Sequence, residues 1–512
     1  MNRSLPAWAT AAVFFVLAAP ASAQNLGTID FPTSGRPEAQ PAFIRGVLYL
    51  HSFEYDAAAA AFREAQRLDP GFVMAYWGEA MTYTHPIWNQ QDVPAAREAL
   101  SRLGPDAEAR LAKATTARER GWQEAVEILY GEGSKERRDT LYSTAMERLA
   151  AQYPDDLEAQ SFFALSLLGL SQGVRNVPTY MRAAAIAEAV YRRNPMHPGA
   201  AHYIIHAFDD PVHAPLGLYA ARAYSKIAPD ASHAQHMTTH IFLALGLWDD
   251  VVSQNVIASG PDHGQWRPGH YTSWLGYGLL QQGRYEEAAR HLALVRFNME
   301  ASASQRATLA NMRGDYLIAT ERWADAAISW PIDLGDVTGA RAGDAFVRGL
   351  AAAHRGDRST AARLLADLQS ASSRSPANED EANEVHVIEI FTRELQGFLL
   401  WLDGQTDSAL AMVRQATVIE DALPVAFGPP DVVKPSHELL GEMLLQANRP
   451  FAAAEFRRAL ELAPRRALSL RGLMRAATAE GDSLTAAQAR GELAAVWHAA
   501  DAGISGLDEA RQ

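Results

Sequence analysis

Three features of the chain predict an all-α fold, a tetratricopeptide-repeat superhelical solenoid of about ten to eleven helix pairs. Gly46, Tyr49, Tyr55, Ala58, Phe62, Ala65 and Pro70 follow the spacing of small and aromatic residues, ending in Pro, that marks one such repeat. Pro154, Pro195 and Pro229 each close a later unit. His202 and His206 recur as His236 and His240 after 34 residues, the length of this repeat, and the same step lands on His270. Small residues let two antiparallel helices approach, aromatics fill the space between them, and Pro stops the second helix.

Taken in order, residues 1–23 read as a signal peptide. Arg3 precedes an apolar run from Ala7 to Ala19, and Ala21-Ser22-Ala23 offers small residues for cleavage. The run falls short of the ~20 residues that a spanning helix needs. The expected location is therefore exported, periplasmic or secreted, with no transmembrane segment after cleavage. The chain has no Cys, which excludes disulfides, thiolate metal sites and Cys nucleophiles. Its formal net charge is −14, and loss of Arg3 makes it one unit more negative. An acidic balance without a long Lys/Arg block argues against nucleic acid as a partner.

Residues 24–40 read as an N-terminal linker and 41–153 as N-terminal repeats with an irregular helical pair. In the second unit His85-Pro86-Ile87-Trp88 breaks the first helix early, and Val93 to Gly104 supplies the next. A longer pair between Asp106 and Tyr153 is interrupted at Gly131-Glu132-Gly133-Ser134. Residues 154–300 hold the central repeats with the histidine cluster. Residues 301–502 hold the C-terminal repeats, with units around Gly314-Trp323-Ala326-Trp330, Gly349 to Ala361, Gly397 to Ala416, His437 to Pro464 and Ala467 to Ala500. Residues 503–512 read as a tail. The long connection Leu423 to Pro430, carrying Phe427, is expected either to lie over a binding face or to be a plain insertion.

The segments HPGAAHYIIHAFDD, HMTTHIF and GPPDVVKPSHELLGE carry more than the repeat signature. With the repeats between them, they resemble a widespread group of exported bacterial tetratricopeptide-repeat proteins, in which an HPGAAHY element is followed about one repeat later by an HMxxH element. The resemblance supports export and the site, and implies no particular reaction.

Residues four apart share one helix face with Cβ atoms ~6 Å apart, so each HxxxH presents two imidazoles side by side. Both pairs fall at equivalent positions of units starting at Pro198 and Ser232. Those positions face the groove in this fold, and helix axes ~8 to 10 Å apart would let four imidazoles converge on one point. Between Pro198–Asp210 and Ser232–Ala244 the identities are Ala200/Ala234, His202/His236, His206/His240 and Phe208/Phe242, so the histidines persist where their neighbours diverge.

His202, His206, His236 and His240 are therefore the expected metal ligands, with His270, Asp209, Asp210, His233 and His197 as further ligands or supporting groups, and Trp274 as a groove wall. Asp209 or Asp210 could accept the second ring N–H of a ligand histidine. His213 and His263 lie in turns and are weaker candidates. His51 and His85, also 34 apart, lie too far along an extended solenoid to join the cluster unless the irregular segment folds back.

Imidazole and carboxylate without thiolate suit a divalent transition metal, whether Zn, Cu, Fe or Mn. Four bound histidines would close the site, whereas three plus water would leave a reactive position. The expected function is a multi-histidine metal centre, for metal binding or metal-dependent catalysis on a small-molecule or peptide ligand in the groove. The alternative is a non-enzymatic scaffold for a protein or peptide partner, with polar groove histidines. In a third reading protonated histidines capture an anion.

Overall fold

The computed structural model describes residues 24–171, 175–260, 266–376, 379–425 and 427–512. The expected signal peptide and His263 lie outside them.

The described residues are almost wholly helical, with 25 α-helices and a single two-stranded pairing of Thr84–His85 with Gln90–Gln91. Antiparallel pairs follow one another along the chain, beginning with Gln40–His51 and Tyr55–Leu68 and ending with Ala467–Glu480 and Ser483–Val496. This is a tetratricopeptide-type helical solenoid. The close approach that the repeat signature requires is visible at both ends. A Cβ on Gly78 would lie 2.3 Å from the Phe62 ring, and one on Gly472 would lie 2.1 Å from the Phe456 ring. Either glycine could gain a side chain only by displacing a buried aromatic.

The helix Val73–Met81 ends early, a 3-10 turn forms at Pro86–Trp88, and Val93–Ser101 follows. Ala117–Leu129 and Lys135–Gln152 form the longer pair. Three expectations need correction. Residues 24–40 are no loose linker, because Leu26 and Phe31 are buried, and Phe31 packs 5.3 Å from Phe43 and 5.2 Å from Trp122. The tail ends in a helix, Leu507–Arg511, with Leu507 and Ala510 buried. The unit around Trp323 has only a 3-10 turn, Ala326–Ser329, as its second element.

The largest departure is in the path of the superhelix, which closes on itself instead of leaving an open groove. At one end the helix Gln40–His51 packs on Pro198–Ala207. Tyr224 donates to Ser52 Oγ at 3.1 Å, and Glu54 Oε1 accepts from the His233 backbone N–H at 3.0 Å. At the other end Trp248 Nε1 donates to the Arg465 carbonyl at 3.0 Å and Trp497 Nε1 to the Gln281 carbonyl at 3.2 Å. The central repeats are thus held from both sides by segments roughly 150 to 220 residues away, which makes their surroundings far drier than a one-dimensional stack would.

The connection after Leu423 lies over this central region. Gly428, at φ +92°, sits where a Cβ would lie 2.3 Å from Trp274. The buried ion network that follows it anchors the connection. Glu438 accepts from Lys434 at 3.1 Å, from Arg466 at 2.9 Å and from Ser469 at 2.6 Å, and Arg466 donates to Tyr277 at 3.0 Å. Glu438→Gln removes the charge that both cations share and should destabilise the protein by ~3 to 5 kcal/mol. Chemical denaturation checks this, and a loss below ~1 kcal/mol would show that the network is solvated.

Candidate metal centre

Three consecutive first helices carry the site. Pro198–Ala207 starts with Pro at its first position and is capped by His197, whose Nδ1 accepts from the Ala200 N–H at 3.1 Å. Ser232–Ala244 comes next, and His270–Gln281 begins behind Gly269, whose N–H donates to Thr272 Oγ1 at 3.1 Å. The caps at His197 and Gly269 fix where the first and third of these helices begin, and so which of their side chains point inward.

The histidines come together, but not on one point. They form two trios, His202/His206/His233 and His236/His240/His270, each with ligand atoms within 4.8 Å of one another. In the first trio the His202 ring lies 4.8 Å from His206 and 5.0 Å from His233, centroid to centroid. In the second, His236 lies 5.1 Å from His240 and 4.4 Å from His270. The trios abut, with His206 5.8 Å from His240 and His233 6.3 Å from His236. The expected four-histidine site is thus divided between neighbouring helices, because each HxxxH pair closes with a third ring beside it. His233 completes the first pair and His270 the second.

Hydrogen bonds set the orientation of several rings. His202 Nδ1 donates to the His51 carbonyl at 2.7 Å, His236 Nδ1 to Asn255 Oδ1 at 2.7 Å, and His240 Nδ1 to Asp209 Oδ2 at 2.5 Å. The Asn255 amide nitrogen is itself committed to the Val251 carbonyl at 3.0 Å, so its oxygen faces the ring. A ring whose Nδ1 carries the proton presents a lone pair at Nε2. Nε2 of His202, His206, His233, His236 and His240 is buried without any partner. Five such orphans in one place are uncommon, since each unmet polar atom costs ~1 to 3 kcal/mol.

A third group, His51, Glu158 and His197, provides the contrast. His51 Nε2 donates to Glu158 at 2.7 Å while its Nδ1 accepts from Tyr203 at 2.8 Å. His197 Nε2 lies 3.1 Å from the same carboxylate. Every ring nitrogen of this group is engaged, so it cross-links the first repeat to the central ones. His197 belongs here and not to the trios.

Burial, reinforced by neighbouring imidazoles, holds His206, His233 and His236 well below the usual histidine range. Burial likewise lowers His202 to about 3, against a partial offset from the His51 carbonyl. These rings are neutral at pH 7 and need lose no proton to bind a metal.

Asp209 backs His240. Asp210 is taken up by Arg175 at 2.7 Å and His213 at 2.8 Å. Trp274 packs under the second trio, 4.4 Å from His240 and 4.9 Å from His236. His51 and His85 are not remote, since the superhelix closes. The His51 carbonyl orients His202, and His85 stacks 3.9 Å from Tyr55 beside the trios.

Asp209→Asn keeps an acceptor but removes the charge, and should weaken metal binding by about 10- to 100-fold at the second trio alone. Titration against a competing chelator measures this, and equal weakening of both trios would contradict the assignment.

A pocket of about 690 Å³ reaches one ring of each trio, His233 and His270, between walls of Phe53, Tyr55, Trp88 and Tyr271. Sequence analysis misses Phe53 and Trp88. Phe53 lies 4.3 Å from His202 and Trp88 6.1 Å from His233 only because the first two repeats fold against the central ones. His233 has no histidine one repeat earlier, where Gly199 stands, so repeat register does not single it out.

Fold and site together define a helical-repeat solenoid with a double histidine cluster. No family model matches the chain, and no curated protein matches its sequence. Among solved structures, a human IFIT1 dimer with m7Gppp-AAAA is similar at 14% identity, over 92% of each chain, with a TM-score of 0.37. Yeast Tom70 is similar at 12% identity, over 93% of this chain and 94% of that one, with a TM-score of 0.25. Scores this low carry nothing about function, and the solenoid assignment rests on the helix pairing above.

Proposed function

We propose that the protein is a metalloprotein in which each histidine trio holds one transition-metal ion, making a two-metal centre for metal-dependent chemistry in the adjoining pocket. The observation that carries this reading is the set of buried, unpartnered Nε2 atoms on rings held mostly by their Nδ1 bonds. His202, His206 and His233 would hold one ion, and His236, His240 and His270 the other. Three protein ligands would leave a position open on each ion, as in catalytic rather than structural sites. The pocket is sized for a small molecule or a single peptide side chain. Export, expected from residues 1–23, would place the centre outside the cytoplasm, and fractionation of tagged protein tests it.

Full-length protein produced with ample Zn, Cu, Fe and Mn and purified without chelators should carry about two equivalents of metal by elemental analysis. Less than about a tenth of an equivalent would leave the histidines as polar residues of an interaction scaffold.

A further inference from the structure

The six proposed ligands are all imidazoles, and no carboxylate joins either trio. Among the described residues the carboxylate bonded to a trio ring is Asp209, behind His240. Two divalent ions would therefore bring four positive charges into a site buried at five of its six rings, against Asp209 behind His240 and Glu54 at the His233 backbone N–H, and such imbalance is costly. Two monovalent ions halve it. Zinc on three imidazoles takes a water as its fourth ligand, and Mn and Fe sites ordinarily recruit carboxylates, whereas imidazole suits copper and a copper ion can also change charge by one electron.

The trios also abut, so two one-electron metals would stand side by side. From these features, and resting on the metal reading above, we propose that the centre is a copper pair that reduces dioxygen and oxidises an electron-rich phenol, of the diphenol class, in the adjoining pocket.

The electrons balance without any further reductant. Two Cu(I) ions would each give one electron to O2, taking it to the level of a peroxide dianion while both coppers become Cu(II). The dianion supplies negative charge that the protein withholds. One diphenol gives two electrons and two protons, so that the O–O bond breaks and one water leaves. A second diphenol gives two more of each, releasing the second water and restoring both Cu(I) ions. In sum two diphenols and one O2 yield two quinones and two waters. The aromatic walls suit a planar ring, which prefers offset or edge-on contacts with Phe53, Tyr55, Trp88 and Tyr271. His233 and His270 both line that pocket, so a ring held there meets one ligand of each metal.

The test uses the full chain, stripped of metal, loaded anaerobically with Cu(I) and then given O2. The expected result is about two coppers per chain, uptake of about one O2 per pair, and little electron paramagnetic resonance signal because the two Cu(II) ions are coupled. Catechol should then turn over with two quinones per O2 consumed. His206→Ala and His270→Ala should each leave about one copper and abolish O2 uptake, and that copper, oxidised afterwards with ferricyanide, should give the resonance signal of an uncoupled Cu(II). Trp88→Ala should raise KM for catechol at unchanged copper content, and circular dichroism checks that each variant folds. Two tightly bound metals with no O2 uptake, or zinc displacing copper from both trios, would overturn the copper assignment and leave the metal reading standing. O2 uptake without catechol oxidation would overturn the substrate assignment. Failure of any metal to bind would overturn both.

Discussion

His236→Ala should release about one of two metal equivalents, His202→Ala about one, and the double variant both. His236 is fully buried, with Nδ1 held by Asn255 and its ring packed 4.9 Å from Trp274 and 4.5 Å from Tyr271. Zinc binding of ~10 to 16 kcal/mol over four ligands implies roughly 3 kcal/mol per ligand, or about a hundredfold or more in affinity per deletion. The metal-free variants should suffer less than an ordinary core truncation. Each loses packing worth up to a few kcal/mol but also removes an orphaned nitrogen that itself costs ~1 to 3 kcal/mol. Elemental analysis beside denaturant unfolding separates the two effects. Loss of both equivalents from either single variant would mean one shared site, and no loss would mean that the trios bind no metal.

The second large effect is a loss of stability in acid by the metal-free protein. His202 is lowered to about 3, and His206, His233 and His236 are well below their ordinary value, by burial first and by neighbouring rings second. Their unfolded pKa is ~6.5. Above it both states are neutral and pH has no effect through these groups. Below it the unfolded chain takes up protons that the folded one refuses, so stability falls with pH until the folded values are reached. The slope approaches ~1.4 kcal/mol per pH unit for each histidine. Four such residues should cost several kcal/mol between about pH 6.5 and 5. Bound metal occupies the neutral rings and should move the fall to lower pH. Denaturation midpoints at pH 7.5 and 5, with and without metal, provide the measurement. A flat profile for the metal-free protein would show that the rings are hydrated and protonate freely.

The repeat signature at Gly46 to Pro70 and the 34-residue step of His202, His236 and His270 were legible in the chain because both are periodic. A helix face and a repeat register are local patterns, so they also indicated that the two HxxxH pairs share a face. Asp209 could be named from its spacing, though not matched to His240, a residue on the next first helix. The grouping into trios was hidden, since His233 has Gly199 as its counterpart one repeat earlier and therefore stands outside the periodicity.

The sequence by itself determined the solenoid and the ladder of histidines. Only the tertiary structure decided that the ladder divides into two trios, that His197 belongs with His51 and Glu158, and that Phe53 and Trp88 wall a pocket beside them. The reason is physical. The path of a superhelix is the accumulated sum of small rotations between neighbouring repeats, and whether residue 51 meets residue 202 depends on that sum, which no local pattern of residues records.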